Sequence, residues 1–366
     1  MDSRLDSLTG ARFVAAFLVF CFHVATLGLF APETGVSGPL TLLTKSAGTV
    51  GVSFFFVLSG FVLTWSARPA DTYGGFLRRR LVKIFPNHVV TFALAMALFA
   101  AAATPLPTVL ANLFLVQAWV PDPATFLSVN GPSWSLSCEL VFYLLFPALL
   151  ALSGRIRRLW WWAGGVVALI VLLPVLGSLL LPSSPRFELP GTVLDGQSIY
   201  PMWLVYIFPP ARLLDFFLGI LTARIVMSGK WIGLGVRPAA LLAVLGYVAG
   251  LFTPMVFTVD VVTVVPLALL IAALATAERQ GASPLGRPVW RRLGEASFAF
   301  YLIHEIVLVL VRAAIGFDTQ LGVLPGIAAV LVALALSVGL AFALHRWVEQ
   351  PAMRRWARAR TPALAS

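Results

Sequence analysis

Charged residues are scarce in this chain of 366 residues, because Asp, Glu, Lys and Arg together make up only 11% of it. Soluble domains average roughly 25% charged residues, so this chain has too few charges to cover a water-exposed surface. Hydrophobic residues account for 60% of the chain, and the mean hydropathy is +0.93. These values exclude an ordinary soluble domain and predict an all-α, polytopic membrane protein.

Cysteine and several widespread catalytic motifs are rare or missing. The only two cysteines, Cys21 and Cys138, lie in apolar segments, which argues against a disulfide framework or a cysteine-based metal site. The sequence contains no glycine-rich phosphate loop, no HExxH and no GxSxG. Nucleotide hydrolases, zinc proteases and serine hydrolases therefore lose their usual sequence support, and we expect no bound metal.

Long apolar runs are abundant. A membrane-spanning helix needs ~20 mostly apolar residues, and ten stretches of the sequence approach that requirement. They are 8–29, 46–66, 87–104, 133–152, 160–181, 208–227, 236–256, 259–277, 296–316 and 323–346. The stretch 108–119 is too short to span and is predicted to be a half-helix or an interfacial segment. We expect one transmembrane domain, residues 1–347, followed by a short basic cytoplasmic tail, residues 348–366.

The distribution of Lys and Arg predicts the orientation of these helices. The net charge is +11, and most basic residues gather in alternate loops and in the tail. The intervening loops hold only Lys45 and Arg186. Because Lys and Arg concentrate in cytoplasmic loops, the alternation favours ten spans with both termini in the cytoplasm. The positive charge is therefore explained by membrane topology, and we expect membrane lipid rather than nucleic acid as a partner.

A few ionisable side chains fall inside the predicted spans, where they are costly and usually face a bundle interior or an aqueous cavity. These residues are Arg12, His23, Glu139, Arg212, Asp215, His304, Glu305 and Arg312. Four residues are candidates for binding the substrate: Trp134, Ser135, Arg212 and His304. Arg212 and Asp215, three residues apart, also fit a structural ion pair on one helix face. Arg312 is predicted to snorkel, and Glu305 has no assigned role.

His23, Glu139 and Arg12 form the candidate catalytic group. His23 and Glu139 each lie ~9 Å below the outer end of their predicted helix, and Arg12 lies ~16 Å below His23. A neutral histidine can take a proton from an attacking hydroxyl, and a carboxylate can orient it. Arginine can stabilise an oxyanion or a phosphate-bearing donor. The alternative is that each residue is a structural polar bridge between helices.

The run "FLRRRLVKIFP" (76–86) carries four basic residues just before the third predicted span. It fits either a topology anchor at an anionic lipid surface or a phosphate cradle for a nucleotide-bearing donor such as acyl-CoA. Arg79, Arg80 and Lys83 are therefore candidate donor-binding residues. The external loops 105–132 and 182–207 mix aromatic with polar side chains. They fit either a sugar-like acceptor or ordinary interfacial loops.

Seven segments, taken in order, resemble the motifs of the acyltransferase 3 family, whose members are integral-membrane O-acyltransferases of surface polysaccharides, lipid-linked sugars and some macrolide antibiotics. They are "LDSLTGARFVAAFLVFCFHV", "GVSFFFVLSGFVLTW", "RRRLVKIFP", "NGPSWSLSCELVFYLLFP", "RLLDFFLGI", "LGEASFAFYLIHEIV" and "VEQP". The resemblance implies that His23 is catalytic, with Arg12 as its partner and Glu139 as the acid of the fourth motif. It also implies that Arg80 and position 83 lie on the donor side. Position 83 is lysine where the family usually has arginine, so the planar fork that grips a phosphate is lost.

The resemblance implies a reaction as well as a fold. We expect transfer of an acetyl or other short acyl group from cytoplasmic acetyl-CoA or another acyl-CoA to a hydroxyl of a carbohydrate or glycosylated acceptor, in the bacterial inner membrane. His23 would serve as general base or as a transient acyl carrier. The alternatives are a macrolide or secondary-metabolite O-acyltransferase, and a transporter of a glycan or lipid-linked sugar.

Overall fold

The computed structural model of the protein describes residues 5–68, 71–189 and 192–357. Within these ranges the regular structure is helical, and β-pairing is limited to two isolated bridges. Ten helices occupy the ten apolar stretches of the sequence. They are α1 (Asp6–Thr26), α2 (Ala47–Trp65), α3 (Tyr73–Ala95), α4 (Trp134–Arg155), α5 (Leu159–Leu180), α6 (Pro209–Met227), α7 (Val236–Phe252), α8 (Val264–Arg279), α9 (Pro288–Ile315) and α10 (Val323–Leu344).

Eight helical stretches of the described chain, which contain α1–α6, α9 and α10, are long and apolar enough to cross a membrane. The other two helices are shorter, since α7 has 17 residues and α8 has 16. At a rise of 1.5 Å per residue they are ~25 Å long, against ~30 Å for the hydrocarbon core. The helical membrane architecture is thus confirmed. The count of ten crossings and the cytoplasmic termini stay predictions, and residues 358–366 of the expected tail lie outside the described residues.

Helix α3 begins at Tyr73, fourteen residues before the predicted start of the third span. The Thr72 hydroxyl caps it by accepting a hydrogen bond from the Gly75 amide at 3.2 Å, which satisfies one of the free amides at a helix start. Arg, Lys and Leu are good helix formers, so the basic run extends α3 at its N-terminal end. The cluster assigned to a loop is therefore the first turns of α3.

Shorter elements connect the long helices. The stretch 108–119 forms a helix, Leu106–Leu113, and a 3-10 turn, Gln117–Trp119, so the prediction that it does not span is confirmed. Further short helices are Ser37–Thr44, Pro123–Phe126, Ile199–Met202, Met255–Thr258 and Gln350–Trp356, with 3-10 turns at Pro32–Thr34 and Gly131–Ser133. Three π-helical turns are Met96–Ala100, Trp203–Ile207 and His345–Glu349.

The core of the bundle depends on backbones that approach closely. Helix α2 packs against α6, where a Cβ atom added to Gly60 would sit 1.9 Å from the Phe216 carbonyl oxygen. Helix α1 packs against α9, where a Cβ added to Gly294 would sit 1.9 Å from the Thr9 carbonyl oxygen. Small residues permit such contacts between membrane helices. The second crossing brings the polar residues of α1 and α9 together.

Helices α5 and α10 lie at the periphery. Large apolar side chains of both helices are exposed, among them Leu179 and Leu324. In a soluble protein such surfaces would mark an interface, but in a bilayer they face lipid tails, where apolar side chains are the favourable surface. Helix α2, in contrast, is buried along most of its length. The candidate functional residues therefore surround the central helix and not the lipid-facing edge.

Candidate active site

His23 of α1 and His304 of α9 form a hydrogen-bonded pair. The distance from His23 Nδ1 to His304 Nε2 is 2.8 Å, and the two ring centroids are 5.0 Å apart. His304 is fully buried, and its ring stacks on that of Phe300. The pair exists because α1 and α9 are close neighbours in the bundle.

The hydrogen bonds of this pair determine which nitrogen carries each proton. His304 Nδ1 lies 3.1 Å from the Phe300 carbonyl oxygen, and a carbonyl can only accept, so Nδ1 of His304 is the donor. In neutral His304, Nε2 is then an acceptor, and His23 Nδ1 must donate to it. His23 Nε2 makes no hydrogen bond to the described residues. The chain of two histidines therefore leaves the lone pair of His23 Nε2 available to accept a proton.

His23 lines a cavity of about 310 Å³, here called the outer cavity. Aromatic side chains form much of its wall, including Trp134, Tyr206 and Tyr301. Apolar residues such as Leu127 and Met255 contribute most of the remainder. A largely apolar space with a few polar groups is typical of a small-molecule site. The outer cavity can therefore hold an organic molecule against His23.

Arg12 lies at the junction of two other cavities. The inner cavity, of about 330 Å³, surrounds the N-terminal half of α1 and includes Lys83 and Glu295 in its wall. The middle cavity is much smaller, about 30 Å³, and Arg12 and Glu139 line it. The Arg12 guanidinium has no hydrogen-bond or ion-pair partner among the described residues. It is thus free to bind an anion or a polarised oxygen.

The three cavities form a series through the protein. Arg12 lines both the inner and the middle cavity. Val52 and Tyr301 line both the middle and the outer cavity. The small volume of the middle cavity makes it the constriction of this series. Arg12 at the inner side and His23 at the other side therefore lie at cavities that adjoin the same constriction.

Glu139 does not orient His23, contrary to the sequence hypothesis. Its Oε2 accepts a hydrogen bond from the Tyr143 hydroxyl at 2.8 Å, one turn further along α4. The depth estimate placed Glu139 and His23 at the same level, but depth alone does not determine which helices are neighbours. Helix α9, and not α4, supplies the partner of His23. Glu139 instead contributes a carboxyl group to the wall of the middle cavity, beside Arg12.

The three candidate donor-binding residues of α3 have different surroundings. Lys83 lines the inner cavity and pairs with Glu349, the acid of the "VEQP" segment. Arg80 lines an adjacent cavity of about 100 Å³ and lies 5.5 Å above the Phe76 ring. Arg79 pairs with Asp71 at 2.8 Å. Lys83 and Arg80 therefore line two neighbouring cavities, Arg79 lines neither of them, and the three residues do not form a single cradle.

Glu349, the partner of Lys83, is itself held by two further contacts. Its Oε1 also lies 3.1 Å from His345 Nδ1, and its Oε2 accepts a hydrogen bond from the Asn87 amide at 2.9 Å. Glu349 and His345 belong to one π-helical turn. The sequence showed the "VEQP" segment but not the partner of its acid, because the contact joins residues 266 positions apart.

Arg212 lies in a buried ion cluster. Its guanidinium pairs with Asp215 at 2.6 Å and with Asp260, and it donates to the Ser53 hydroxyl at 2.9 Å. It lines none of the three cavities. The suggested ion pair is therefore present, with Asp260 as a further member, and we no longer place Arg212 at the substrate. Buried charges of this kind require their partners.

Each remaining candidate residue either lines a cavity or forms hydrogen bonds that hold the helices in place. Trp134 lines the outer cavity, and Ser135 lines the middle one. Ser135 accepts a hydrogen bond from the Tyr301 hydroxyl at 3.0 Å, which ties α4 to α9. His304 lies behind His23 and contacts the outer cavity only through it. Arg312 donates to the carbonyl oxygens of Gly316 and Thr319 at 2.8 and 2.5 Å and caps the end of α9, while its snorkelling stays a prediction.

Comparison with known proteins decides the family. A model of the acyltransferase domain family, Acyl_transf_3, matches residues 5–346. The chain belongs to the acyltransferase 3 family. It is 40% identical to Acyltransferase MdmB of Streptomyces mycarofaciens over 99% of this chain and 95% of the relative. This member of the family is therefore an acyltransferase, and its apolar helices make it a multi-pass membrane protein.

More distant relatives carry related names. Exopolysaccharide production protein ExoZ of Rhizobium meliloti is 28% identical over 84% of this chain and 90% of its own length. The O-acetyl transferase of Shigella phage Sf6 is 26% identical over 65% and 68%. No solved structure shows a significant match to the chain. The family assignment thus rests on sequence.

Proposed function

We propose that this acyltransferase transfers an acetyl or other short acyl group from acyl-CoA to a hydroxyl of a carbohydrate or glycosylated acceptor, with His23 as the general base. The observation that carries the proposal is the chain from the Phe300 carbonyl through His304 to His23. It leaves His23 Nε2 as an acceptor at the wall of a cavity large enough for an organic molecule. The bacterial inner membrane is the location that fits a cytoplasmic acyl-CoA donor and a multi-pass fold.

The donor enters from the inner cavity in this proposal. Coenzyme A carries several phosphate groups, which bind Arg and Lys side chains. Arg12 and Lys83 line the inner cavity, and Arg80 lines the cavity beside it. The basic N-terminal turns of α3 support the same side for the donor, because cytoplasmic segments are rich in Lys and Arg. The thioester would then extend through the middle cavity towards His23.

The transfer needs one base and no change of oxidation state. His23 Nε2 takes the proton of the acceptor hydroxyl as its oxygen attacks the thioester carbonyl carbon. The carbonyl re-forms, the carbon–sulfur bond breaks, and the imidazolium returns its proton to the coenzyme A sulfur. His304 holds the His23 ring in the tautomer that leaves Nε2 free, which is the role of the carboxylate in serine hydrolases. Arg12 lines the inner and middle cavities, ~16 Å below His23 along α1, so it would bind a phosphate or another anionic group of the donor rather than the reacting carbonyl.

The outer cavity supports an acceptor with an apolar body. Trp134, Tyr206 and Tyr301 offer faces on which a sugar ring can stack, while Leu127 and Met255 favour a hydrophobic portion. The name of the ExoZ relative mentions exopolysaccharide production, which supports a carbohydrate hydroxyl. The apolar wall favours a second acceptor class, a macrolide or another glycosylated secondary metabolite.

The test measures release of coenzyme A and acylation of the acceptor by purified protein in nanodiscs. Labelled acetyl-CoA is supplied with a panel of glycosides, glycan extract and macrolides. We expect the native protein to transfer the label and His23→Gln to lose about 10²–10⁴-fold in rate, the usual contribution of a general base. His88→Gln is the matched control, since His88 is a buried histidine that binds backbone carbonyls of Asn112 and Leu113 and lines none of the three cavities.

Two results would count against the proposal. Equal transfer by native protein and His23→Gln, both folded, would remove His23 from the chemistry. Movement of a glycan or lipid-linked sugar across the membrane without any use of acetyl-CoA would replace the proposal with the transporter alternative.

A further inference from the structure

Glu305 presents a carboxyl group with no partner to the outer cavity. It follows His304 on α9 and lies one turn after Tyr301, so both Tyr301 and Glu305 face the cavity that His23 lines. Its Oε2 atom is buried and has no hydrogen-bond partner among the described residues. Buried polar atoms in proteins are almost always satisfied. Because Glu305 also lines the cavity, its carboxyl oxygen is available to accept a hydrogen bond from a molecule bound there.

The protein does not provide the missing donor from the other walls of the cavity. Among the described residues, no Lys or Arg lines the outer cavity, and His23 is its only other Asp, Glu, His, Lys or Arg residue. Trp134 and Tyr206 carry N–H and O–H donors in the wall, but neither makes a hydrogen bond to Glu305. The donor proton of His23 is already committed to His304. The hydroxyl of Tyr301 donates to the Ser135 hydroxyl at 3.0 Å, with the Pro132 carbonyl oxygen as a second acceptor at 3.3 Å. Glu305 is thus the one strong acceptor in the outer cavity besides His23 Nε2.

The chain also leaves space for this carboxyl group. A Cβ atom added to Gly131 would sit 2.7 and 2.8 Å from the two Glu305 oxygens. Any side chain larger than glycine at position 131 would therefore push the carboxylate from its place. Gly131 precedes Trp134 in the segment "NGPSW". This segment therefore leaves room for the Glu305 carboxylate and also contributes the Trp134 side chain to the cavity wall.

We propose that Glu305 binds the acceptor, by accepting a hydrogen bond from a hydroxyl or ammonium group close to the hydroxyl that reacts. The inference rests on the proposed function and names the chemistry of its acceptor. Two fixed points, Glu305 and His23 Nε2, would orient the molecule in the outer cavity. Glu305 then determines which acceptors bind and which of their hydroxyls meets His23, while the reaction itself proceeds at His23.

The test compares two matched acceptors with Glu305→Gln and Glu305→Leu in nanodiscs at saturating acetyl-CoA. The probes are 4-nitrophenyl β-glucoside and its 2-amino-2-deoxy analogue. Loss of a hydrogen bond to a charged group should raise KM by about tenfold to hundredfold, so Glu305→Leu should raise KM for every acceptor that the native protein uses. A smaller change is expected in kcat. A purely structural role would instead lower the yield of folded protein without raising KM more than it changes kcat.

The glutamine variant distinguishes the two kinds of donor group. Its amide oxygen still accepts from a hydroxyl but no longer carries the charge that attracts an ammonium group. Activity on the glucoside retained in Glu305→Gln, but lost in Glu305→Leu, would assign a hydroxyl. If both variants lose activity on the amino glycoside but keep their activity on the glucoside, the donor to Glu305 is the ammonium group. Either result supports the inference.

Two further variants test whether a rise in KM comes from the Glu305 carboxylate itself, and not from misfolding or from the loss of any surface charge. Gly131→Ala should raise KM in the same direction, because it displaces the carboxylate without changing its chemistry. Glu33→Leu removes an exposed carboxylate of the turn Pro32–Thr34, which lines none of the three cavities, and should leave KM unchanged. Unchanged KM in Glu305→Leu would overturn the inference, and so would acylation of neither probe while the native protein releases coenzyme A. No use of acetyl-CoA by the native protein would instead refute the proposed function.

Discussion

Replacement of His304 tests the two-histidine chain most directly. His304→Phe keeps a flat ring on Phe300, where the present rings stack at 5.7 Å, but removes the acceptor of the His23 proton. His304→Gln retains an acceptor oxygen that can reach His23 Nδ1. We expect transfer activity to fall in the order native, His304→Gln, His304→Phe, with the phenylalanine variant still folded.

The magnitude follows from the single hydrogen bond of 2.8 Å between the rings. Its net contribution is about 0.5–1.5 kcal/mol, and 1.4 kcal/mol corresponds to a factor of about ten in an equilibrium. Without His304, His23 therefore loses about twofold to tenfold in the population of the productive tautomer. Loss of the ring orientation adds to this, and a total of about tenfold to hundredfold in kcat is expected, below the full effect of removing the base.

The assay is acyl transfer at saturating donor and acceptor, with the melting temperature of each variant measured in the same nanodiscs. Loss of activity should be confined to kcat, since His304 touches the substrate only through His23. Native kcat in His304→Phe would refute the role of the chain. A loss in His304→Phe equal to that in His23→Gln would also contradict the calculation, because it would make His304 a second reacting group.

Three other changes follow from the packing and the ion pairs. Gly60→Leu should prevent the close crossing of α2 and α6, where even a Cβ atom would overlap the Phe216 carbonyl, and should be seen as a lost monodisperse peak in size-exclusion chromatography. Asp260→Leu should lower stability by ~3–5 kcal/mol, because it deprives buried Arg212 of a partner, and Ser53→Ala, measured by the same thermal assay, should cost less. Lys83→Met should raise KM for acetyl-CoA more than KM for the acceptor, whereas equal effects on both would argue against a donor site at the inner cavity.

Hydropathy alone predicts the helices but not their contacts. Each apolar stretch forms a helix, because backbone groups in a bilayer must be satisfied internally. The early start of α3 was missed since charged residues were assigned to a loop, although Arg and Lys extend helices well. The shortness of α7 and α8 was missed because apolar residues continue into the connecting segment 253–263, which contains only the short helix Met255–Thr258.

The site was predicted in part. His23 was identified because an ionisable side chain within an apolar span is costly and is therefore a candidate for function. Its partner was not, because the contact with His304 depends on the packing of α1 on α9, and residues 281 positions apart show no pattern along the chain. Glu305 was noticed but had no assigned role, since only the cavity shows that its carboxyl group lacks a partner. The roles of these residues stay predictions until the variants are measured.

The narrow middle cavity has a consequence for what can enter it. Its volume of about 30 Å³ admits only about two water molecules, and Phe55, Phe56 and Phe298 line it. A space of this size is too small for a hydrated ion, and the Arg12 guanidinium in its wall also repels cations. If the proposed transfer proceeds through this constriction, an extended acyl thioester can enter it, whereas hydrated cations and the bulky nucleotide part of coenzyme A cannot.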